Sequence, residues 1–581
     1  MQGGTQMRNY LPKEKVAVFP DVRALITNCG KFGEKTVYKY LVNKDEVKEL
    51  SYKAFSDNII NTATALYGLN LKDKKIALLS ESRPEWLQAY LATLCAKAVI
   101  VPLDKELMPE QIIGFLKMAE CSALFISPDY KTKLGELLAE AELDYIFDLE
   151  QSNYTPYEGS YEDFATKKEL NFYELCAYGQ HLLSVGYMGI YNLSYDQDAM
   201  ASILFTSGTT GTSKGVMLSH KNLLVTAAQC ANNTPFDGND VFLSVLPMHH
   251  TYETTIDLAI LHLGATICIN NSIKYVLRNL KRFKPTGFVL VPLFVQTIHK
   301  RIQDEIKKKG KQGTFDKALK LTKGLRKVKI DLRRALFTEV IASLGGRLKT
   351  IICGGAALDP ELVKSFQDMG VNIYQGYGIT ECSPLVSVDL YTRPKTGSVG
   401  PAIPCCEVTI IDDNGKQCEV GEIGEIAVKG DNVMLGYYKN EAATEAAFTD
   451  DGYFLTGDFG KLDEDGYIYI TGRKKNLIIL SNGKNVYPEE IEEYLMRLDT
   501  VKECAVIARK NNLDEAVVTA IILPEQSVLD LGDENAIQEK IKEGVLAVNN
   551  QLPSFKQIRN VEIRRNEFEK TSSQKIKRFM L

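Results

Sequence analysis

The sequence predicts an α/β protein with a large N-terminal domain of helix-covered sheets, a β-rich subdomain and a small α/β C-terminal domain. Three observations support this: a length of 581 residues, strand and helix patterns that alternate over most of the first 400, and short strands with turn signals after them. About 150 residues per domain gives roughly three or four domains or subdomains. We place the N-terminal domain at 1–474, its β-rich subdomain at about 398–472, and the C-terminal domain at 475–581.

The first part of the chain alternates Val/Ile/Leu-rich segments with helical patterns. Strands are predicted at 75–80, 99–103 and 123–126. A helix at 84–94 begins with proline in its first turn, where proline is well tolerated. This alternation predicts parallel sheets covered by helices on both faces.

The pattern changes near Ser398 to short strands separated by turn signals, which are typical of a β-rich subdomain. The turns are Asp413-Asn414-Gly415, Asp451-Gly452 and Asp465-Gly466. A basic string, Arg473-Lys474-Lys475, then precedes a new α/β pattern, so we place a domain boundary near Lys475. The elements predicted beyond it are a helix at 488–498 and strands at 504–508 and 516–523.

Composition excludes several classes of protein. An apolar content of 45% and a charged content of 25% are typical of a well-cored globular protein. The net charge of -5 argues against a nucleic-acid binder. The longest apolar stretch is too short to span a bilayer, and the N-terminus lacks the layout of a signal peptide. Twelve cysteines without a C-x-x-C pair indicate reduced thiols, so we expect a cytoplasmic protein.

The strongest local signal is an apolar strand, 202–205, that runs into ten residues made only of Thr, Ser, Gly and Lys. Glycines let backbone amides converge on an anion, hydroxyls add donors, and a lysine adds charge, so the segment predicts a polyphosphate-binding loop. Its candidate binding residues are Ser207, Gly208, Thr209, Thr210, Gly211 and Lys214. A flexible surface turn is the alternative interpretation.

Two other motifs compete for these residues. The Walker A pattern does not fit, because Lys214 is followed by glycine rather than Ser or Thr. The hydrolase elbow G-x-S-x-G does match at 211–215, with Ser213 as the nucleophile. However, a strand-like segment follows where a helix is needed, and all six histidines lie at or before His299. A serine hydrolase is therefore a distant alternative.

A basic segment stands out between Lys300 and Arg334, where fourteen basic residues oppose four acidic ones. The plain interpretation is a solvated helical surface. The sharper interpretation is peripheral contact with an anionic membrane, at on the order of 1 kcal/mol per nearby cation.

The Ser/Thr/Gly loop resembles the phosphate loop of the adenylate-forming superfamily, which includes acyl-CoA synthetases, luciferases and adenylation domains. Four later segments resemble the other motifs of that superfamily in the same order, so the resemblance covers nearly the whole chain. They are the adenine and magnesium motif at 374–381, the ribose motif at 453–458, the hinge at 472–475 and the catalytic lysine motif at 570–578.

The resemblance implies an attack of a carboxylate on the α-phosphate of ATP, which brings two anions together and needs Mg²⁺ and fixed donors. Glu381, with help from Thr206, is implied to hold the Mg²⁺. Lys575, a compact cation on a long stem, is implied to bridge the carboxylate and the α-phosphate.

The nucleotide site follows from the same resemblance. Tyr377 is implied to stack on adenine, with Gly355 and Ala356 as the opposite wall. Asp458 can accept hydrogen bonds from the ribose hydroxyls, and Arg473 can donate to the ribose or phosphates. The motif also assigns Gly376, Gly378 and Thr380 to this site.

Lys475 lies where the superfamily hinges, so the C-terminal domain is expected to be mobile. It presents Lys575 first and then the loop around Gly483 and Lys484, which receives the thiol. The chain departs from the family at Gln574, just before the catalytic lysine, and at Lys97, where a glycine is common.

Several stretches resemble the long-chain fatty acyl branch. They are 82–86, 246–253 with His250 and Tyr252 as acyl-pocket candidates, and 284–294. The predicted activity is ATP-dependent conversion of a fatty acid to acyl-AMP and transfer to coenzyme A, with release of pyrophosphate and AMP. The alternatives are transfer to an acyl carrier protein, and a binding-only protein that keeps ATP without turnover.

Overall fold

The structure is a computed structural model that describes residues 12–43, 45–150, 163–164, 166–206, 213–270, 272–328, 330–356, 358–480, 484–511, 515–571 and 575–581. Seven residues singled out by the sequence lie outside these ranges. They are Ser207, Gly208, Thr209, Thr210, Gly211, Gly483 and Gln574.

The described residues form 25 strands, which we number along the chain. They are β1 Thr36–Leu41, β2 Val47–Ser51, β3 Lys75–Leu79, β4 Val99–Pro102, β5 Cys121–Ile126, β6 Tyr145–Asp148, β7 Glu169–Asn171, β8 Met200–Thr206, β9 Lys214–Ser219, β10 Val241–Ser244, β11 Thr266–Ile269, β12 Gly287–Leu290, β13 Thr350–Cys353, β14 Asn372–Gly378, β15 Leu385–Val388, β16 Cys406–Ile411, β17 Gly424–Gly430, β18 Gly436–Tyr437, β19 Phe454–Leu462, β20 Ile468–Arg473, β21 Ile478–Ile479, β22 Asn485–Val486, β23 Val501–Lys510, β24 Ala516–Pro524 and β25 Asn560–Ile563.

The same ranges contain 18 α-helices. They are α1 Val22–Gly30, α2 Tyr52–Gly68, α3 Pro84–Cys95, α4 Pro109–Ala119, α5 Pro128–Leu134, α6 Phe172–Ser184, α7 His220–Asn233, α8 Thr251–Leu263, α9 Val276–Phe283, α10 Pro292–Lys308, α11 Gln312–Lys327, α12 Arg333–Leu336, α13 Thr338–Ser343, α14 Pro360–Asp368, α15 Glu441–Glu445, α16 Pro488–Leu495, α17 Gln526–Leu529 and α18 Glu534–Asn549. Across the described part of the chain, none of them is both long and apolar enough to cross a bilayer.

The predicted elements of the first part are confirmed as β3, α3, β4 and β5. The strands predicted near the C-terminus are confirmed as β23 and β24. The helix predicted at 488–498 is α16, which ends at Leu495. The residues after it turn tightly, with Leu498 N donating to Leu495 O at 3.1 Å, and lead directly into β23.

Two eight-stranded sheets form most of the N-terminal part. Their strand orders are β15-β14-β13-β12-β10-β11-β1-β2 and β18-β9-β8-β4-β3-β5-β6-β7. The prediction of parallel sheets is confirmed for their centres, from β14 to β1 and from β8 to β7. Three of their four edges are antiparallel, at β2, β15 and β9-β18, which the strand and helix alternation did not predict, whereas the edge strand β7 is parallel to β6.

The parallel strands position the site. Because β10, β12, β13 and β14 run in the same direction, their carboxyl ends meet at one edge of the sheet. The residues at or just after these ends include Leu246, Val291, Gly354 and Tyr377, and all four line one cavity.

A four-stranded antiparallel sheet, β16-β17-β19-β20, occupies the region where the sequence predicts a β-rich subdomain. In its register Asp458 of β19 lies directly opposite Arg473 of β20. The last part of the chain forms a three-stranded sheet, β23-β24-β25, whose buried residues cluster with those of α16 and α18. The boundary at Lys475 stays a prediction.

Lys97, the lysine at a position where the superfamily commonly has glycine, has a left-handed backbone with φ of 58°. A residue with a β-carbon is strained there by roughly 1–2 kcal/mol. Glycine would remove this strain, but part of the gain in stability is lost because glycine has more conformational freedom in the unfolded chain. We expect Lys97→Gly to stabilise the protein by up to about 1 kcal/mol, measured as a rise in the thermal midpoint.

The matched control is Lys117→Gly, because Lys117 is an exposed lysine with helical backbone in α4. That change should cost about 1 kcal/mol. Equal destabilisation by both substitutions would contradict a strained backbone at Lys97.

Candidate active site

A cavity of about 650 Å³ lies between the two large sheets, the antiparallel sheet and the C-terminal part of the chain. Thirteen residues predicted from the sequence line it. They are Thr206, Lys214, His250, Tyr252, Gly355, Gly376, Tyr377, Gly378, Thr380, Glu381, Arg473, Lys475 and Lys575. Residues more than 300 positions apart in the sequence therefore meet at one site.

Three predicted residues are placed differently. Asp458 is buried directly behind the cavity wall, where it contacts two lining residues. Ala356 is exposed and does not line the cavity, although Gly355 before it does. The Lys484 ammonium lies 4.5 Å from the centre of the Phe555 ring, away from the cavity.

The two ends of the phosphate loop face the cavity. Thr206 ends β8 and pairs with Lys214, the first residue of β9, so the strands hold both ends of the loop side by side. The Thr206 hydroxyl donates to the Lys214 carbonyl at 3.4 Å. The Lys214 ammonium lies 4.5 Å from the centre of the Tyr437 ring, within cation–π distance.

Glu381 lies on the single 3-10 turn Thr380–Cys382 that follows β14. The Tyr437 hydroxyl donates to Glu381 Oε1 at 3.0 Å. Burial and the Glu381 carboxylate both raise the pKa of Tyr437, so its hydroxyl keeps the proton that it donates. Tyr437 was missed by the sequence analysis, and its sequence signal, an aromatic residue after glycine, is too common to single it out.

Asp458 is a buried carboxylate with only 3% of its surface exposed. Its register opposite Arg473 explains the ion pair between Arg473 Nε and Asp458 Oδ1 at 3.0 Å. The Tyr377 hydroxyl donates to Asp458 Oδ2 at 2.8 Å. Both oxygens of the carboxylate are therefore engaged, and the aromatic ring of Tyr377 is fixed at the end of β14.

Lys575 is held beside Thr571 by two hydrogen bonds. The Thr571 amide donates to the Lys575 carbonyl at 2.9 Å, and the Lys575 amide donates to the Thr571 hydroxyl at 3.2 Å. Before Thr571, Lys570 pairs with buried Glu503 at 2.5 Å. After Lys575, Arg578 pairs with Glu492. Lys570 is thereby committed to a structural contact, and Lys575 is the lysine that reaches the cavity.

The surroundings of Lys575 favour an anionic ligand. Burial, Arg473 and Lys475 together lower the pKa of Lys575 to about 8, and Asp458 acts in the opposite direction. Lys575 is exposed by its surface area, yet it is surrounded by protein atoms and lines the cavity. Burial and Arg473 also lower the pKa of Lys475. Three cations thus surround one carboxylate. The binding of a polyanion would reduce the repulsion among these cations.

His250 directly precedes α8 and lines the cavity. Burial and then His249 lower the pKa of His250 to about 3, so the imidazole is neutral at physiological pH. The neighbouring His249 places Nε2 at 3.3 Å from Asp104 Oδ1. Glu253 holds the preceding loop, because its carboxylate accepts hydrogen bonds from the Val245 and Leu246 amides.

The remainder of the cavity wall is mainly apolar. Its lining residues there include Cys230, Leu246, Pro247, Ile256, Val291, Phe294, Ile352, Leu385 and Val388. A neutral, apolar pocket of this kind suits an alkyl or aryl group.

A cavity at the carboxyl ends of parallel strands, lined by cations that include a lysine from the C-terminal part of the chain, is typical of a nucleotide-binding α/β enzyme. The chain belongs to the AMP-binding enzyme family, which it matches over residues 25–438. Residues 490–575 match the C-terminal domain of AMP-binding enzymes. The resemblance to the adenylate-forming superfamily is thereby confirmed.

Curated relatives match most of the chain. Probable acyl-activating enzyme 16, chloroplastic, of Arabidopsis thaliana is 30% identical over 86% of this chain and 75% of its own length. A chloroplastic long-chain-fatty-acid–[acyl-carrier-protein] ligase of the same plant is 29% identical over the same shares. Human long-chain-fatty-acid–CoA ligase 1 is 30% identical over 83% of this chain and 70% of its own.

Solved structures share the fold. The anthranilate CoA ligase AuaEII in complex with anthranoyl-AMP has a TM-score of 0.75 at 20% identity, over 97% of both chains. ATP-bound MatB from Rhodopseudomonas palustris has a TM-score of 0.72 at 24% identity, over 96% of this chain and 98% of its own. The chain therefore has the adenylate-forming fold.

The lowered pKa of Lys575 gives a pH-dependent affinity for ATP. A lysine with a free-enzyme pKa of about 8 carries its charge below that pH and loses it above. We expect the affinity to be constant below pH 8 and to fall by about tenfold at high pH, as when a charge-assisted hydrogen bond is lost. Calorimetric titration of ATP across this range measures it.

Lys475→Gln should move this loss of affinity to higher pH, because it removes a cation that lowers the pKa of Lys575. Lys474→Gln is the matched control, since Lys474 lines the same cavity but pairs with Glu425 at 2.6 Å. A midpoint that stays in place in Lys475→Gln would contradict the electrostatic coupling of these lysines.

Proposed function

We propose that the chain is an AMP-forming ligase that uses ATP to activate a fatty acid and transfers the acyl group to coenzyme A. The observation that carries this proposal is that one cavity has both a cationic part and an apolar part among its lining residues. The cationic part consists of Lys214, Arg473, Lys474, Lys475 and Lys575, with Glu381 among them. A nucleotide triphosphate suits that part, and an alkyl chain suits the other.

In the first half-reaction an oxygen of the substrate carboxylate bonds to the α-phosphorus of ATP, and the bond to the pyrophosphate oxygen breaks. The substrate becomes an acyl-adenylate. Because two anions approach each other, the cation of Lys575 is needed between them. Neutral His250 adds no charge to the path of the carboxylate.

Glu381 and Thr206 would hold Mg²⁺ in this reaction. Both present oxygen atoms to the same cavity, and oxygen is the ligand type that Mg²⁺ prefers. Bound there, Mg²⁺ would supply positive charge to the phosphate oxygens. The Tyr437 hydroxyl orients the carboxylate of Glu381.

The adenosine moiety would contact the ends of β13 and β14. The glycines there allow close approach of a ligand, and Gly378 tolerates no side chain because a β-carbon would lie 2.2 Å from the Pro384 carbonyl. Since Asp458 already binds Tyr377 and Arg473, we propose that these three side chains contact the ribose and base as one unit.

In the second half-reaction the thiol gives up its proton to solvent and its sulfur bonds to the acyl carbon. The bond from that carbon to the phosphate oxygen breaks, and AMP leaves. We propose that the C-terminal domain rotates about Lys475 between the two steps. Lys475 lies in the short 3-10 turn Lys474–Asn476 between β20 and β21. With Lys575 in the cavity and Lys484 outside it, the structure has the arrangement suited to the first step.

The acyl group can be transferred to the thiol of coenzyme A or to that of an acyl carrier protein. Relatives are named as CoA ligases and as an acyl-carrier-protein ligase, so both acceptors have a counterpart. We propose coenzyme A, and a side-by-side assay with coenzyme A and holo-acyl carrier protein distinguishes them.

Two other functions have weaker support. A serine hydrolase would need Ser213 on a strand-to-helix turn, whereas Ser213 is followed by the strand β9. It would also react with a fluorophosphonate probe and work without ATP. A binding-only protein would fail to exchange pyrophosphate with ATP in the presence of any carboxylic acid.

Two substitutions should separate the half-reactions. Lys575→Ala should abolish acid-dependent ATP–pyrophosphate exchange yet still convert a supplied acyl-adenylate to a thioester. Lys475→Pro should do the reverse, because proline restricts the φ rotation that a hinge must make. We expect a loss of at least about a hundredfold in the affected half-reaction for each variant.

Lys475→Ala is the matched control for the hinge, because it removes the same charge but leaves the backbone free. It should retain the second half-reaction. Losses of similar size in both half-reactions for Lys575→Ala and Lys475→Pro would contradict the rotation and leave only a static ATP site.

We further propose that the basic segment 300–334 contacts an anionic membrane. Several cations of this segment already form ion pairs with carboxylates of the same chain, among them Lys300 with Glu525 and Lys311 with Glu339. The segment and the residues just after it also expose large apolar side chains beside other exposed cations. The apolar residues are Leu321, Val328, Ile330, Leu332 and Leu336. The exposed cations include Arg301, Lys307, Lys308, Lys317 and Lys320.

Binding to vesicles that contain an anionic phospholipid should weaken sharply between low and high salt. Val328→Asp should reduce the binding by about tenfold. The substitution removes apolar surface that the membrane would bury and adds a negative charge that anionic lipid repels. The matched control is Val420→Asp, since Val420 is 61% exposed and Val328 is 65% exposed. Equal binding to neutral and anionic vesicles would leave the solvated surface as the correct interpretation.

A further inference from the structure

The end of α7 separates the cavity from the N-terminal segment of the chain. Cys230 and Thr234 lie about one turn apart at this end, and both line the cavity. On the other side of the same turn lie Lys15 and Val16. Lys15 is itself exposed on its outer side, so the wall between cavity and solvent is thin at this point.

Asn232 fastens the N-terminal segment to α7. Its Oδ1 accepts from the Lys15 amide at 2.7 Å and from the Val16 amide at 3.0 Å. Its Nδ2 donates to the Val16 carbonyl at 3.0 Å. Asn232 is 4% exposed, so these hydrogen bonds satisfy a buried amide that would otherwise carry a desolvation cost.

The Lys15 ammonium reaches the carbonyl groups that a helix leaves open at its C-terminal end. It donates to Ala231 O at 3.3 Å, to Phe236 O at 3.0 Å and to Thr234 O. It also lies 5.4 Å from the centre of the Tyr391 ring, which follows β15. Burial lowers the pKa of Lys15, and Asp237 and Asp240 partly offset this effect.

We propose that Lys15, Val16 and Asn232, here called the clasp, form the outer wall of the apolar part of the cavity and set the longest acyl chain that it accepts. The proposal rests on the fatty acid ligase function proposed above. Cys230 and Thr234 line the cavity from the helix end that the clasp holds, so an acyl chain in the apolar part would meet them. A longer acyl chain would have to displace Cys230 and Thr234. The clasp resists this displacement because it binds the end of α7, to which both residues belong.

The inference predicts opposite effects for the two sides of the wall. Lys15→Ala loosens the clasp from outside, so long acids should gain access. Cys230→Phe adds bulk from inside, so the preference should move to shorter acids. A hydrophobic pocket discriminates by about 10- to 200-fold per methylene group. The ratio of kcat/KM for the longest over the medium-length acid should therefore change by at least about tenfold, upward in Lys15→Ala and downward in Cys230→Phe.

The experiment measures pyrophosphate release by the full-length enzyme with saturated acids from eight to twenty carbons. Lys13→Ala is the matched control, because Lys13 is an exposed lysine two positions before the clasp. Lys15→Met keeps the stem of the side chain without its charge. It provides the same measurement, with a smaller upward change, should Lys15→Ala fail to fold.

The two proposals fail in different ways. If the wild-type enzyme releases no pyrophosphate with any acid, the ligase function is wrong. If turnover persists and the length profile of Lys15→Ala and Lys15→Met equals that of the wild type, the clasp does not set chain length, whatever Cys230→Phe does. A profile that shifts equally in Lys13→Ala overturns the inference as well.

Discussion

The site depends on one buried anion, the carboxylate of Asp458. It accepts a hydrogen bond from Tyr377 and forms an ion pair with Arg473, which fixes the end of β14 against β20. Burial and repulsion by neighbouring cations lower the pKa values of Lys475 and Lys575. The charge of Asp458 acts in the opposite direction on both lysines. Because this single carboxylate faces three cations from two parts of the chain, the cavity keeps a surplus of positive charge that a polyphosphate can neutralise.

The local elements of the fold were largely predictable from the sequence, because their signals are local. Alternating apolar segments and Pro84 located β3, α3 and β4 within a residue or two. The order of the strands was not predictable in this way, since β1 pairs with β11 across more than 200 residues. The antiparallel edges depend on the same kind of long-range pairing. The early end of α16 depends on a turn into β23 that helical periodicity does not record.

The same distinction applies to the site. Lys214, Glu381 and Lys575 could be proposed because each lies within a recognisable motif, and the structure brings all three to one cavity. Tyr437 could not be proposed, because its role arises from a hydrogen bond to Glu381 across 56 positions. The clasp is a further case, since Lys15 meets Thr234 only after the chain folds. Ala356 is the opposite case: it lies within a recognisable motif, yet it does not line the cavity.

The contacts that hold the C-terminal part over the cavity explain how it could both close and rotate. Lys300 pairs with Glu525 at 2.5 Å, and Arg497 with Asp359 at 3.4 Å. Both pairs are partly exposed, and such pairs contribute about 0–1 kcal/mol each. These two pairs therefore oppose the proposed rotation only weakly. Since Lys300 also belongs to the basic segment, an anionic membrane of the kind proposed above would compete with Glu525 for it and would weaken one of these two pairs.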